Sequence, residues 1–312
     1  MKRATLSLVA LAALGLMLRP CGALAADETP TSEAGYVGSK ACAECHDEQF
    51  EAFQSNVHHQ AELDGKRVQD VVGCESCHGP GSLHVEAQGD EKDPRFHTIR
   101  NPNTMKGAEA SAICRKCHTV GDQFYWDQSN HARNNVRCED CHKIHSPKSQ
   151  AGARLLSAEQ STELCVTCHR DKRSALEHTA HMPLREGGMS CNDCHNPHGS
   201  MGPHMIRAAN NTELCVTCHT DKRGPFLWEH PPVRENCVNC HQPHGSNNDK
   251  ILAGKRPYLC QRCHVSSRHP STLYDIPDLS ASGANKIVNR SCTNCHSQIH
   301  GSNHPSGEFF ER

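Results

Sequence analysis

The sequence predicts a chain of short α-helices and irregular coil, with little or no β structure, built as a repeat around something other than its own side chains. Three observations carry that expectation. Apolar residues make up 36% of the 312, with Trp 2, Tyr 4 and Phe 7, against roughly 45–50% (Gly included) in an ordinary globular domain. Leu, Ile, Val and the aromatics are too few to bury a core suited to this length. The net charge is only −2, so the low-hydrophobicity, high-charge signature of a disordered chain is missing as well. Finally, Cys 21 and His 25 far exceed ordinary usage and recur at fixed spacings. A Rossmann domain, a TIM barrel and a membrane-spanning bundle all fit this composition poorly.

The first element is a leader. Lys2 and Arg3 are followed by an uncharged apolar stretch, Ala4 to Leu18, and by Ala23-Leu24-Ala25, the tripartite pattern of a secretory signal. The apolar run is shorter than the ~20 residues that span a bilayer. Residues 1–25 are therefore expected to be cleaved, taking Cys21 with them. The mature domain, 26–312, is expected in an exported, oxidising compartment.

Every remaining cysteine belongs to one motif. The 20 form ten Cys-x-x-Cys pairs, each followed at once by His. In order they are Cys42/Cys45/His46, Cys74/Cys77/His78, Cys114/Cys117/His118, Cys138/Cys141/His142 and Cys165/Cys168/His169. Then come Cys191/Cys194/His195, Cys215/Cys218/His219, Cys237/Cys240/His241, Cys260/Cys263/His264 and Cys292/Cys295/His296. Cys-x-x-Cys-His is the attachment signal of a c-type haem. Two thiols one helical turn apart can reach both vinyl groups on one porphyrin edge, and the adjacent imidazole then lies under the iron as proximal ligand. A disulfide framework needs no His after each pair. Structural zinc uses four ligands from two pairs, with His at wider spacing, and a thioredoxin-like Cys-x-x-Cys would occur once. The ten motifs therefore predict ten covalently attached haems.

The other histidines fall into register with the motifs. Each cycle runs motif, free His, motif, free His, and it occurs five times, over about 42–84, 114–145, 165–198, 215–244 and 260–300. The free positions are His58 and His84, His131 and His145, His181 and His198, His230 and His244, and His269 and His300. Imidazole is a preferred iron ligand, so these ten are the distal candidates, making each haem six-coordinate. His59, His97, His178, His204 and His304 lie outside the register. His58 against His59 and His181 against His178 remain open; we favour His58 because Phe53 precedes it as Trp126 precedes His131, and His181 because it lies nearer its following motif. A distal candidate three residues after a proximal one, as His145 is after His142, cannot wrap round to its own iron and must serve another haem. The sequence does not give the pairing. The third and fourth units are visibly duplicated: Thr162 to His169 recurs as Thr212 to His219, and Pro-His-Gly-Ser recurs at 197–200 and 243–246. Such repeats contact mainly their neighbours, which predicts an extended rod of haem pairs.

Local signals place helical turns around Ala43 to Val57, Ala108 to His118, Ser157 to His169 and Asn211 to His219, with polar caps before two of the motifs. No alternating run of useful length suggests a strand. Gly79-Pro80-Gly81 and His230-Pro231-Pro232 read as tight loops. With so little chain per motif, the porphyrins themselves become the core, and folding should depend on their attachment.

Charge limits the partners. Removing Lys2, Arg3 and Arg19 leaves 30 basic and 35 acidic residues, a balance of −5. Twenty ionised propionates would take this to about −15 with ferric and about −25 with ferrous irons, which argues against nucleic acid. An enzyme is also disfavoured. A catalytic haem needs an open coordination position, and here the histidine count leaves none short; nor is there a Cys-x-x-Cys-Lys variant. Electron transfer is the remaining class.

Motifs such as Cys74-Glu-Ser-Cys-His-Gly-Pro-Gly-Ser82 and Cys191-Asn-Asp-Cys-His-Asn-Pro-His-Gly-Ser200 resemble those of the MtrA/DmsE family of periplasmic decahaem c-type cytochromes, over essentially 42 to 300. The resemblance implies bis-histidine haems in a rod that enters an outer-membrane β-barrel porin. It implies a periplasmic or inner-membrane cytochrome donor, and an extracellular multihaem cytochrome or terminal reductase beyond the membrane. The competing readings are a soluble periplasmic electron shuttle or store, and a multihaem reductase with one open iron. Direction of flow, terminal acceptor and individual potentials are not legible.

Overall fold

The computed structural model describes residues 33–64, 73–147, 154–264 and 291–311; the expected signal peptide and His269 lie outside them. Residues from Gly35 onward form one unit. Its helices are short, as expected. The longest among the described residues is Gly107–Arg115, with nine residues, and Asp47–Gln54, Val57–Asp64 and Ser161–Cys168 have eight. Isolated helices of this length are marginal in water, so their stability must come from what they pack against. Strands are absent from the described residues. Antiparallel pairing is limited to isolated bridges such as His142 to Leu156, His195 to Ile206 and His241 to Leu252. No helix among the described residues is long and apolar enough to cross a membrane.

Side chains alone make no continuous core. The buried apolar residues include Phe53, Ile113, Trp126, Leu176, Ile206, Val216 and Leu252, scattered along the chain.

The expected helices are present with shifted bounds. The turn around Ala43 to Val57 is broken by the first motif into Ser39–Ala43, Asp47–Gln54 and Val57–Asp64. The break falls at His46, which takes φ −122° and ψ 52° and leaves the helical path. The helix before the seventh motif is Asn211–Cys215, capped by Asn210, whose side chain accepts from the Glu213 N–H at 2.9 Å; such a cap satisfies a donor the helix cannot. After the second motif, Gly79 at φ 84° ends the helix Cys74–His78. The Gly-Pro-Gly run then turns the chain back.

Candidate haem-binding centre

The motifs share a local geometry that follows from their spacing. The histidine N–H reaches the carbonyl of the motif's first cysteine at 2.8–3.1 Å in, for example, Cys42/His46, Cys138/His142 and Cys237/His241. This single turn puts both thiols and the imidazole on one side. In the fourth and sixth motifs an acidic residue tightens the turn: Asp140 and Asp193 accept from the N–H groups of Arg137 and Ser190, at 2.8 and 2.7 Å. None of the motif cysteines is in a disulfide.

The motifs also adjoin one another in a fixed order. The leading thiols of successive motifs adjoin in pairs: Cys42 with Cys74, Cys114 with Cys138, Cys165 with Cys191, Cys215 with Cys237 and Cys260 with Cys292. The trailing thiols provide the links between these pairs. Cys77 lies near Cys117, Cys141 near Cys168, Cys194 near Cys218 and Cys240 near Cys263, each pair close enough for thiolate charges to repel. Burial first pushes the free thiols of Cys77, Cys141, Cys194 and Cys240 up, followed by the facing thiol at Cys77 and Cys240, and by Asp140 and Asp193 before the facing thiol at Cys141 and Cys194. The result is an unbranched sequence of motifs from first to tenth.

Two cysteines of the expected cofactor-binding set stand apart from these links. Cys45 and Cys295 are the trailing thiols of the first and last motifs, and both are exposed. The turns that carry them are formed all the same, with the Cys45 N–H reaching the Cys42 carbonyl at 3.3 Å and the Cys295 N–H reaching the Cys292 carbonyl at 3.2 Å. The reason for their separate position is serial. Each link by trailing thiols joins an even-numbered motif to the odd-numbered motif after it, so the first and the tenth are left at the ends. Polypeptide alone does not enclose Cys45 or Cys295. Exposure is shared by Cys117, Cys168, Cys218 and Cys263, the odd-numbered partners in the links. A thiol that must meet a vinyl group from outside the chain has to be reachable, so this exposure suits attachment.

Imidazoles face each other across the fold. Among the described residues eight pairs have ring centres 6.0–6.3 Å apart: His46 with His84, His58 with His118, His78 with His145, His131 with His169, His142 with His198, His195 with His244, His230 with His264 and His241 with His300. Each pair joins one motif histidine to one interleaved histidine. Imidazoles bonded to opposite faces of one iron would have centres about 6.3 Å apart, taking ~2.0–2.1 Å for an imidazole–metal bond, as at zinc, and ~1.1 Å from nitrogen to ring centre. The protein therefore holds the rings at the separation that a metal between them requires.

The hydrogen bonds agree. In the even-numbered motifs the proximal Nδ1–H donates to a backbone carbonyl: His78 to Arg100, His142 to Arg154, His195 to His204, His241 to Lys250 and His296 to Phe309, at 2.5–3.0 Å. A bond of this kind fixes the tautomer, leaves the Nε2 lone pair free for a metal and orients the ring. Among the interleaved histidines His84 and His131 are held in the same way, by the carbonyls of Phe96 and Pro197. The buried Nδ1 atoms of His58, His198 and His230 have no hydrogen-bond partner among the described residues, an arrangement that is costly unless a group from outside the chain lies beside the ring. Burial, reinforced by the facing imidazole, lowers the pKa of His58, His145, His198 and His230, and that of His198 falls to about 4. His244 and His300 are lowered as well, by burial, then by Lys172 and Lys222 respectively, and then by the facing ring. The rings are thus kept neutral, the form that binds metal.

A cavity of about 540 Å³ opens beside the third motif, lined by residues that include Ser111, Arg115, Lys116, Trp126 and Arg133.

Of the two open choices, the described ring pairs place His58 opposite a motif histidine, and place neither His181 nor His178 so. His58 faces His118, whereas His59 packs edge-on against Phe53. His181 donates from Nδ1 to the His178 carbonyl at 2.8 Å, and its Nε2 lies 3.0 Å from Glu186 Oε1. The His178 Nδ1 is buried without a partner among the described residues. Of the other histidines outside the register, His97 bonds the Glu91 carbonyl and His204 supplies the carbonyl that holds His195.

Sequence reasoning missed Glu75. It is 2% exposed, and its carboxylate accepts from the N–H groups of Val37, Gly38 and Gly81 at 2.7–3.2 Å. It ties residues 35–38 and the Gly-Pro-Gly turn to the second motif. An acid between two cysteines gives no sequence signal of that role.

Attachment motifs on short turns and imidazoles facing at a metal-spanning distance define a multihaem c-type cytochrome. The doubled CXXCH motif family matches residues 131–174, 181–224 and 230–269. The chain is 37% identical over 286 residues to the multiheme cytochrome MtrA of Shewanella baltica (strain OS185), covering 88% of this chain and 81% of that one. It is 28% identical over 137 residues to the cytochrome c-type protein NrfB of Escherichia coli O6:H1, covering 43% of this chain and 66% of that one. This chain belongs to the MtrA family of multihaem c-type cytochromes, electron-transfer proteins rather than enzymes. Its cofactor is haem c.

Proposed function

We propose that the chain is a serial conductor of ten bis-histidine haems that carries electrons between the periplasm and the cell exterior within an outer-membrane porin–cytochrome complex. The observation that carries the serial array is the unbranched order of thiol neighbours from Cys42 to Cys292. In this reading the ten motif histidines are proximal ligands, and the facing histidines complete eight of the haems. Cys45 and Cys295, exposed in the polypeptide, hold the two terminal haems, where electrons enter and leave. The haem supplies reversible one-electron chemistry when bound. The chain's own residues set its position and exclude water, and bonds such as His195 to the His204 carbonyl orient its ligands.

The pairing follows a rule. Motifs two, four, six and eight take the histidine that follows the motif two places on, as His142 takes His198. Motifs three, five and nine take the histidine that precedes the motif before them, as His169 takes His131. The same rule assigns His181 to His219, and the doubled-motif matches begin at the three corresponding residues, His131, His181 and His230. Glu186 gives up its bond to His181 Nε2 in that state. His269 is left for His296. The five two-haem repeats, 42–84 through 260–300, are thus interlocked rather than separate domains, following a signal peptide at 1–25.

The periplasm and outer-membrane association, the β-barrel porin, the inner-side cytochrome donor, and the outer multihaem cytochrome or reductase are proposed from family membership. The test is purification from outer-membrane fractions, followed by reconstitution in liposomes with the co-purifying barrel and a reducible dye inside. The expected result is transmembrane reduction that falls sharply in His195→Ala, in which Cys191 and Cys194 still hold the porphyrin. Rates unchanged in a correctly inserted variant would argue against a serial wire.

A further inference from the structure

We infer that Gly199, Gly245 and Gly301 are positioning residues for the sixth ligands His198, His244 and His300, acting as joints through which one repeat delivers a ligand to the repeat before it. The inference rests on the ligand assignment proposed above.

His-Gly-Ser occurs at 198–200, 244–246 and 300–302. In each copy the glycine N–H closes a turn onto the carbonyl three residues back, Asn196, Gln242 or Gln298, at 3.0–3.1 Å. The histidine therefore sits at the tip of a tight turn immediately after its own motif. The glycines take φ 105°, 145° and 134°, backbone that side chains rarely allow.

All three glycines also lie against a segment of the preceding repeat. A Cβ on Gly199 would lie 2.6 Å from the Tyr125 carbonyl oxygen and 3.0 Å from its Cβ. One on Gly245 would collide with the Ala175 carbonyl, and one on Gly301 with the Phe226 ring. The neighbouring backbone is fastened on the same side: Ser246 pairs with Ala180 at 2.7 and 3.0 Å, and Ser302 with Trp228 at 2.9 Å in both directions. Each contacted segment follows an odd-numbered motif, and the histidine beside the glycine faces the even-numbered motif of that same repeat: His142, His195 or His241. The absence of a side chain lets the loop come close enough for its imidazole to reach across. The fourth motif departs from this pattern. Ser146 follows His145 there, and Asn56 instead ties the loop by donating to the Ile144 carbonyl at 2.9 Å.

The experiment compares three variants of the full haem-loaded protein. Gly245→Ala is expected to convert one haem per chain from low-spin to high-spin in the ferric state, with haem content by intact mass unchanged. Gly89→Ala separates approach from backbone strain, because Gly89 has φ 82° but no atom within 4 Å of an added Cβ; it should stay wholly low-spin. His244→Ala reports on the ligand itself. A high-spin haem in His244→Ala with none in Gly245→Ala would overturn the joint and keep the ligand assignment. No spin change in His244→Ala would overturn the assignment itself. Equal effects from Gly89→Ala and Gly245→Ala would reduce the role to backbone strain and overturn the inference. If Gly245→Ala does not accumulate, Gly199→Ala, whose contact is less severe, is read by the same criteria against His198→Ala.

Discussion

His142 and His198 face each other with ring centres 6.0 Å apart and planes 16° apart, although they belong to the fourth and sixth motif segments. His142 is anchored by the Arg154 carbonyl, and His198 is carried on the turn closed by Gly199. Two independent supports thus aim rings from different repeats at one point. In the proposed ligation, misplacing either ring would break an iron bridge between two repeats.

The number of haems is the first expectation. Each motif supplies two thiols and a proximal imidazole, so the intact mass of the mature protein should exceed that of the polypeptide by ten haems. Eight or fewer on fully matured protein would contradict the reading.

The ring angles predict two classes of ferric spectrum. Six described pairs lie within 16–30° of parallel, but His58 with His118 is crossed at 77° and His131 with His169 at 61°. Parallel imidazoles interact with the same iron d orbital and split the upper pair, whereas crossed rings leave that pair nearly degenerate. Electron paramagnetic resonance should therefore show a minority of low-field, strongly anisotropic signals beside the rhombic majority. His131→Met should remove one of these signals and raise the potential of that haem, because Met/His ligation raises potential. His230→Met should raise the potential of a different haem and leave the crossed signals in place.

Acid should weaken the protein. His58, His145, His198, His230, His244 and His300 all have pKa values lowered from 6.5, that of His198 to about 4. As pH falls below 6.5 the unfolded chain takes up protons that the native state refuses, so stability declines. For His198 the decline begins at about pH 6.5 and runs down to at least about pH 4. Denaturant unfolding followed by haem absorbance at pH 7.5 and pH 5 should show a lower midpoint at pH 5. Equal midpoints would contradict the burial of neutral rings.

Glu75→Ala should destabilise the first repeat. It leaves the Val37, Gly38 and Gly81 N–H groups without their acceptor, at a cost of roughly 2–3 kcal/mol. Limited proteolysis should then cut near residues 35–38, and the later repeats should keep their spectra. Glu75→Gln should recover part of the loss, since its carbonyl oxygen still accepts.

The sequence by itself determined the Cys-x-x-Cys-His motifs that mark haem c, and a composition too poor in apolar residues for a side-chain core. Attachment depends on two thiols and an imidazole within a single turn, so fixed spacing records it fully, as at Cys191 to His195. The interleaved histidines were also legible as a register. What only the tertiary structure decided was which ring faces which. His58 lies opposite His118 rather than His59 doing so, and His46 faces His84 while His78 reaches on to His145. Ten identical motifs likewise give no hint that Cys45 and Cys295 lie exposed at the two ends of the thiol order, because position in that order depends on which motifs adjoin. Tertiary structure also decided the carbonyls that hold each Nδ1, the crossing angles, and the roles of Glu75 and the His-Gly-Ser glycines. These are relations between segments far apart in the chain, set by loop path and close backbone approach, and no local spacing encodes them.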